Sequence, residues 1–191
     1  MNEDLFAALW PVIDAFAAVG IPYTIGGSVA SSYHGIPRTT ADADLVAAFP
    51  VAKVQPFVDA LGVDYYADAD MIRDAISRNA SFNLIHLELG LKIDVFVLSR
   101  REYDQVSFTR RQIAALDDSG RSMAVDSAED VVLHKLEWYR LGGETSDRQW
   151  TDILGVLKAR RKHVDLEYLR RWALTIGVAA LLTRALGDAG I

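Results

Sequence analysis

The chain has 191 residues, 51% of them apolar, with no cysteine and a formal net charge of −6. This length suits one compact domain with a modest extension, and the lack of cysteine excludes disulfides and thiolate metal sites. The acidic balance disfavours nonspecific nucleic-acid binding, although a local basic groove is compatible with it. We find no signal-peptide pattern and no apolar stretch of the ~20 residues that a membrane helix needs, so we expect a cytoplasmic protein without a membrane partner.

Helices and strands alternate in the predicted order through the first part of the chain. Apolar residues at helical or strand spacing carry these predictions, and glycine or proline bounds several of the elements. In chain order, the predicted elements are helix 3–19, strand 22–25, helix 29–34, strand 42–49, helix 50–61, strand 63–66 and helix 70–78. Two hairpins follow, from strands 82–88 and 91–98 and from strands 109–116 and 122–125, the second turning at Asp118-Ser119-Gly120.

From residue 127 onward the predicted elements are helices only. Ser127 and Ser146 each begin a capping-box pattern, and Asp165 can cap a third helix before a last short one. The sequence therefore predicts an α+β fold. A mixed β-sheet flanked by helices occupies 1–126, and a helical subdomain over 127–191 packs on that core.

Three aspartates stand at the starts of strands that are otherwise apolar. Asp42 and Asp44 are two residues apart, so their side chains point to one face of a strand while Ala43 points to the other. Asp94 begins the apolar run of a later strand in the same way. Neighbouring carboxylates repel each other unless a cation lies between them. Three convergent carboxylates could hold two Mg²⁺ ions, an arrangement suited to in-line displacement at phosphorus.

A glycine-rich turn lies just before the acidic pair. Gly26 and Gly27 allow the backbone to approach a ligand closely, and Ser28 opens a short helix whose free N–H groups favour anions. Arg38 lies upstream of Asp42 and could neutralise phosphate charge. These residues predict a binding site for the triphosphate of a nucleotide.

The order of these motifs resembles a known superfamily. Gly26-Gly27-Ser28, the segment 38–45 (Arg-Thr-Thr-Ala-Asp-Ala-Asp-Leu) and a lone strand acid at Asp94 resemble the DNA polymerase β-type nucleotidyltransferases. The segments 127–136 and 147–153 resemble the branch that holds AbiEii-type toxins and related small uncharacterised nucleotidyltransferases. The resemblance covers about 25–172 and implies that Lys135 and Asp152, on two successive helices, complete the site.

The resemblance implies a metal-dependent enzyme that transfers NMP from an NTP to an acceptor hydroxyl. Asp42, Asp44 and Asp94 would hold two Mg²⁺ ions, with Mn²⁺ as an alternative, and Ser28 with Lys135 would contact the triphosphate. A toxin-like role implies tRNA or a protein as the acceptor, and an antitoxin as a partner.

Two other functions stay open. One is an adenylyltransferase that modifies a small, antibiotic-type molecule, and the other is a catalytically silent protein that binds a nucleotide or a partner. A deep acidic pocket beside Asp94 would favour a small acceptor, whereas an open basic groove toward Arg110, Arg111 and Arg160 would favour RNA.

Several residues also have a purely structural interpretation. Lys135 could be a lysine that extends along apolar surface to reach water, and Asp152 could lie on the solvated part of its helix. The four histidines show no metal-ligand spacing, and we expect them to be structural or exposed. We expect Trp138, Trp150 and Trp172 to pack the helical subdomain.

Overall fold

The computed structural model describes residues 3–117 and 119–191. In this part of the chain a seven-stranded mixed sheet is flanked by helices, which confirms the predicted α+β class. The strands are β1 (Tyr23–Ile25), β2 (Asp42–Ala47), β3 (Tyr65–Tyr66), β4 (Ser81–His86), β5 (Leu91–Val97), β6 (Gln112–Ala114) and β7 (Met123–Val125). The helices are α1 (Glu3–Val19), α2 (Gly27–His34), α3 (Val54–Leu61, after a 3-10 turn at Val51–Lys53), α4 (Ala69–Arg78), α5 (Glu102–Thr109), α6 (Ala128–Leu141), α7 (Asp147–Arg160), α8 (Leu166–Thr175) and α9 (Ala179–Ala189).

The predicted elements are present, with ends that differ by a few residues. Both predicted hairpins are antiparallel pairs, β4 with β5 and β6 with β7, while Asp118 of the second turn lies outside the described residues. Helix α2 begins at Gly27 rather than at residue 29. Helix α5 was not predicted, because only three of its eight residues are large and apolar or aromatic, too few for a legible helical stripe.

Strand order places the acidic strands side by side. The order across the sheet is β3-β4-β5-β2-β1-β7-β6, and β2 runs parallel to β5 in the centre. Because strand side chains alternate, one face of β2 carries Ala43, Leu45 and Ala47, all fully buried, and the other carries Asp42 and Asp44. We call the second face the cleft face.

The buried face of the sheet packs on α1 and α3. Phe16 of α1 stacks on Phe57 of α3 with ring centroids 4.8 Å apart, and Phe49 contacts both rings edge-on. Aromatic contacts of this kind add to the stabilisation that comes from burying apolar area. This packing anchors the sheet, so the cleft face can carry polar groups.

Helices α2, α6 and α7 pack together on the cleft side. Ser127, Ser146 and Asp165 cap α6, α7 and α8, respectively, by accepting hydrogen bonds from backbone N–H groups, as the sequence predicted. Strand β7 ends at Val125 and α6 begins at Ala128, beside the predicted division at residue 126, and the division into two units itself stays a prediction.

A buried carboxylate fixes α6 to its neighbours. The Asp130 side chain, which is fully buried, accepts hydrogen bonds from Ser127 Oγ at 2.6 Å and from the Tyr168 hydroxyl of α8 at 2.7 Å. Arg110, next to α5, donates to it at 3.3 Å. A buried carboxylate is tolerated only when its oxygens are bonded in this way, and the bonds set the orientation of α6.

No helix in the described residues is both long and apolar enough to span a membrane.

Gly35 lets α2 and α7 approach each other closely. A Cβ atom at Gly35 would lie 2.7 Å from the backbone nitrogen of Val156 and 2.8 Å from the carbonyl carbon of Gly155, both in α7. We expect Gly35→Ala to lower the free energy of unfolding by about 1–3 kcal/mol, because helix backbone has to move. Chemical denaturation measures this change.

The matched control is Gly187→Ala in α9, where an added Cβ meets open space. This control should be neutral or stabilising by up to ~1 kcal/mol, because alanine favours a helix interior. Equal stabilities of the two variants would contradict the close-packing argument.

Candidate functional site

A cavity of about 830 Å³ lies between the cleft face of the sheet and helices α5, α6 and α7. It is lined by eight of the nine site residues that the sequence predicted, namely Gly26, Gly27, Ser28, Arg38, Asp42, Asp44, Lys135 and Asp152. The ninth, Asp94, is the direct neighbour of Asp44 across the β2–β5 pair. The structure therefore brings together residues that are spread over 127 positions of the chain, between Gly26 and Asp152.

The glycine turn is pressed against the acidic strand. The Gly26 N–H donates to the Asp44 carbonyl at 2.9 Å. Gly27 has a φ of +53°, and a Cβ atom there would lie 1.9 Å from Asp44 Oδ2, so only glycine fits without displacing the carboxylate. The first backbone N–H groups of α2 lack helical partners and lie beside the Asp44 carboxylate.

Four predicted residues form one hydrogen-bonded group, which we call the Arg38 network (Ser28, Arg38, Lys135 and Asp152). Arg38 donates from Nε and from one terminal nitrogen to the two oxygens of Asp152, both at 2.9 Å. The same terminal nitrogen donates to Ser28 Oγ at 2.5 Å, and Lys135 Nζ donates to Asp152 Oδ2 at 2.9 Å. Bidentate, charge-assisted contacts of this kind fix the direction in which both cations point.

The Arg38 network is largely buried, which excludes the solvated placements that the sequence left open for Lys135 and Asp152, while their role in binding stays a prediction. Lys135 is 7% exposed and Asp152 is 8% exposed, so neither lies on a solvated helix face. Burial raises the pKa of Asp152, but the hydrogen bonds from Arg38 and Lys135 outweigh it and hold the pKa below its ordinary value. Asp152 is therefore ionised at neutral pH and acts as the anchor for two cations.

The three predicted metal ligands share the cleft face. Asp44 and Asp94 are register partners on β2 and β5, and Asp42 lies two residues from Asp44. Burial, followed by the charges of Asp42 and Asp94, raises the pKa of Asp44 to about 6. The charges of Lys135 and Lys92 lower this pKa, but they do not outweigh burial and the two neighbouring carboxylates.

Lys92 supplies part of the positive charge. Its Nζ lies 2.7 Å from Asp94 Oδ2, and this hydrogen bond raises the pKa of Lys92, with smaller contributions from the charges of Asp42 and Asp44. Asp42, for its part, accepts a hydrogen bond from Thr40 at 2.6 Å. In the described ranges no three His, Asp or Glu side chains already form a group able to hold a metal ion. The metal set stays a prediction.

The donor chemistry of this site fits a hard divalent cation. Asp42, Asp44 and Asp94 offer carboxylate oxygens, the ligands that Mg²⁺ and Mn²⁺ favour, and the charges of Asp42 and Asp94 add to burial in raising the pKa of Asp44. An ion bound between them would take over the role that the Lys92 ammonium fills for Asp94.

The sequence did not reveal two further groups that line the cavity. Asp126 follows β7, is 2% exposed, and contacts Thr24 Oγ1 at 2.8 Å and His134 Nδ1 at 3.4 Å. An acid at the end of a strand was the available signal, since Asp42 stands at the first position of β2. His134, for which the sequence predicts a structural or exposed role, lines the cavity with its side chain 25% exposed.

The second group comes from α5 and α6. Arg101 bridges Asp104 and Glu137 with four contacts of 2.6–3.0 Å, and all three residues line the cavity. No sequence motif marks this bridge, because α5 itself was not predicted. Trp138 was expected to pack the helical part but is 54% exposed and lines the cavity beside Phe96. That expectation was wrong, since the outward face of α6 borders the cleft.

Comparisons with known proteins bear on the fold. A scan of protein-family models and a search of curated proteins give no match to this chain. Among solved structures, the chain is similar to the antibiotic-resistance factor ANT(2'')-Ia, with 17% identity and a TM-score of 0.59 over 96% of this chain and 98% of that chain. It is also similar to an antigenic nucleotidyltransferase-like protein from Paracoccidioides brasiliensis, with 17% identity and a TM-score of 0.53 over 98% of this chain and 94% of that one. The predicted nucleotidyltransferase-like fold is thereby confirmed, while the resemblance to the AbiEii branch stays a prediction.

The raised pKa of Asp44 predicts that ionisation of this carboxylate destabilises the folded protein. Because the pKa of about 6 lies above the ordinary value of 3.8, the folded state resists ionisation of Asp44, and its stability falls as pH rises between these values. We expect Asp44→Asn to raise the free energy of unfolding at pH 7.5 by on the order of 1–3 kcal/mol when divalent cations are chelated.

Denaturation in EDTA at pH 7.5 and near pH 4 measures this effect, which should vanish at the lower pH. Asp59→Asn, at an exposed position on α3, serves as the control and should change little at either pH. A loss of stability in Asp44→Asn at pH 7.5 would show that Asp44 is already compensated.

Proposed function

We propose that the protein is a metal-dependent nucleotidyltransferase that transfers NMP from an NTP to an acceptor hydroxyl. The observation that carries this proposal is the Arg38 network at the Gly26-Gly27 turn, directly beside the paired carboxylates Asp42 and Asp44. Oriented cations next to a cluster of carboxylates suit a ligand that contains both phosphates and a divalent metal. The nucleotidyltransferase-like fold supports the same function.

In the proposed nucleotidyl transfer, different residues of the cavity bind the phosphates and the metal ions. Ser28 and the backbone N–H groups at the start of α2 bind the β- and γ-phosphates, and Arg38 and Lys135 offset their charge. Two Mg²⁺ ions, or Mn²⁺, held by Asp42, Asp44 and Asp94 would polarise the α-phosphate and carry the charge of the departing pyrophosphate.

The chemical step exchanges one bond to phosphorus for another. The acceptor oxygen forms a bond to the α-phosphorus, the bond from that phosphorus to the pyrophosphate oxygen breaks, and the Asp94 carboxylate accepts the hydroxyl proton. Positioning and electrostatic stabilisation supply most of the rate enhancement in such reactions, so few residues are needed.

The charges of the residues that line the cavity favour a small acceptor over RNA. The three arginines that would mark an RNA groove, Arg110, Arg111 and Arg160, do not line the cavity. Arg110 forms ion pairs with Asp130 and Glu129, and Arg111 donates to the Phe108 carbonyl. The wall beyond Asp44 instead carries Asp104 and Glu137, two acids that share the single cation Arg101, so this wall keeps a net negative charge that disfavours a phosphate backbone. A small hydroxylated molecule is therefore the acceptor that we propose, while the toxin-like role, with an antitoxin partner and a cytoplasmic location, stays a prediction.

The enzyme hypothesis predicts loss of transfer when Asp42 is removed. Labelled NTPs, each of the four in turn, are incubated with the protein, Mg²⁺ and a cell extract, and label is followed into acceptors. We expect the rate of label transfer by Asp42→Ala to be lower than that of wild type by about 100-fold or more, because a carboxylate that would hold the metal is gone. Asp59→Ala, an exposed acid on α3, is the control and should transfer at the wild-type rate.

Thermal unfolding of both variants establishes that they fold. Transfer by Asp42→Ala at the wild-type rate would sink the assignment of this residue. Binding of an NTP with Mg²⁺ but no transfer to any fraction would instead support the catalytically silent alternative.

The acceptor hypothesis predicts where the label appears. After the reaction, the extract is separated into small molecules, RNA and protein. We expect label in the small-molecule fraction, because the net negative charge of Asp104 and Glu137 with Arg101 disfavours a long polyanion along that wall. Label in RNA that nuclease releases, or in protein that protease releases, would overturn the small-acceptor proposal and favour the toxin-like role.

A further inference from the structure

His134 and Asp126 form a pair whose role the mechanism above does not use. The Asp126 side chain is almost wholly buried, and its oxygen Oδ1 accepts a hydrogen bond from Thr24 Oγ1 at 2.8 Å. Its other oxygen, Oδ2, lies 3.4 Å from His134 Nδ1. A buried carboxylate needs a cationic partner or several hydrogen bonds, and one hydroxyl supplies only a single bond.

A second histidine near Asp126 does not supply the missing charge. His34 Nε2 lies 2.7 Å from the backbone carbonyl of Asp126, not from its carboxylate. Burial lowers the pKa of His34 and favours its neutral form. Among the described residues, His134 is the basic side chain that forms an ion pair with the Asp126 carboxylate.

The acids around His134 all favour its charged form. Asp126 faces it from the end of β7, Asp104 from α5, and Asp130 lies one turn earlier on α6, while the Tyr103 ring of α5 packs edge-on at 5.2 Å. Burial lowers the pKa of His134, but the contact with Asp126 and the charges of these acids outweigh it, so the pKa lies above its ordinary value.

The pair lies beside the glycine turn. The same Asp126 oxygen that contacts His134 is 3.0 Å from the position that a Cβ atom of Gly26 would take. His134 lines the cavity with its side chain 25% exposed. Because Nδ1 faces Asp126, the second ring nitrogen, Nε2, lies on the edge of the ring that points away from that carboxylate.

We propose that His134 is a third cation for the nucleotide, and that it donates its Nε2–H to the polyphosphate bound in the cavity. Asp126, held by Thr24, is the positioning residue that keeps the imidazole protonated and oriented. This inference rests on the proposed function. Unlike Arg38, whose pKa the hydrogen bond with Asp152 raises further above its ordinary value, His134 makes nucleotide affinity dependent on pH.

Binding measurements test the contact directly. Calorimetry with Mg²⁺ and ATP, ADP or adenosine, and with tripolyphosphate, compares wild type with His134→Gln. We expect the variant to bind ATP roughly tenfold more weakly at neutral pH, because one charge-assisted hydrogen bond is lost, and to bind adenosine unchanged. His163→Gln, at an exposed position after α7, is the control and should bind like wild type.

The dependence on pH separates a ligand contact from a structural role. Wild-type affinity for ATP should fall as pH rises through the pKa of His134, and His134→Gln should remove that slope. Asp126→Asn should move the slope to lower pH, and the ¹⁵N signals of the imidazole report the same displacement without any ligand. A variant that only loses folding stability, with an unchanged ATP affinity and slope, would overturn the proposal.

The outcomes also separate this inference from the function on which it rests. Equal ATP binding by wild type and His134→Gln refutes the contact and leaves the nucleotidyltransferase function standing. Suppose that wild type binds tripolyphosphate more tightly than His134→Gln does, but binds none of the four NTPs. This result supports the contact between His134 and phosphate and refutes the proposal that the ligand is a nucleotide. Binding of neither ligand to wild type refutes both.

Discussion

The site depends on one carboxylate, that of Asp152, which joins three separate parts of the chain. Its two oxygens receive Arg38 from the loop before β2 and Lys135 from α6, while Asp152 itself belongs to α7. Without this anchor the two cations would repel each other and extend into solvent. The close packing of α2 on α7 at Gly35 brings the anchor within reach of Arg38. Helix packing and the electrostatics of the cavity are thus parts of one arrangement.

Much of this arrangement could be predicted from the sequence, because local chemistry determines it. Alternation along a strand places Asp42 and Asp44 on one face, and the glycines mark the turn where backbone approaches Asp44. Lys135 and Asp152 became site residues only through a resemblance, since a helical lysine and aspartate have several structural explanations. Their mutual contact depends on how α6 crosses α7, which no local pattern specifies.

The residues that the sequence did not reveal share a physical reason. Asp126 contacts His134, 8 positions away, and Thr24, 102 positions away, while Arg101 joins the nearby Asp104 to Glu137, 36 positions away. Helix α5 has too weak an apolar stripe to be recognised. Trp138 lies on α6 among residues that are mostly buried, so its exposure depends on where the cavity opens rather than on its own periodicity. Tertiary placement, not propensity, determined these four positions.

The ion pairs that Lys92 and Asp152 form would affect which ligands the site can bind. The protein supplies its own counter-ions, an ammonium for Asp94 and a carboxylate for Arg38 and Lys135. A lone phosphate ion would have to compete with Asp152 for Arg38 and Lys135, and a lone metal ion would have to compete with Lys92 for Asp94. Each ion would replace one ion pair by another, with little net gain in binding free energy. A metal–nucleotide complex brings both charges at once and can satisfy the acids and the bases together. In the nucleotidyltransferase that we propose, built-in counter-ions of this kind would select against the abundant simple ions of a cell.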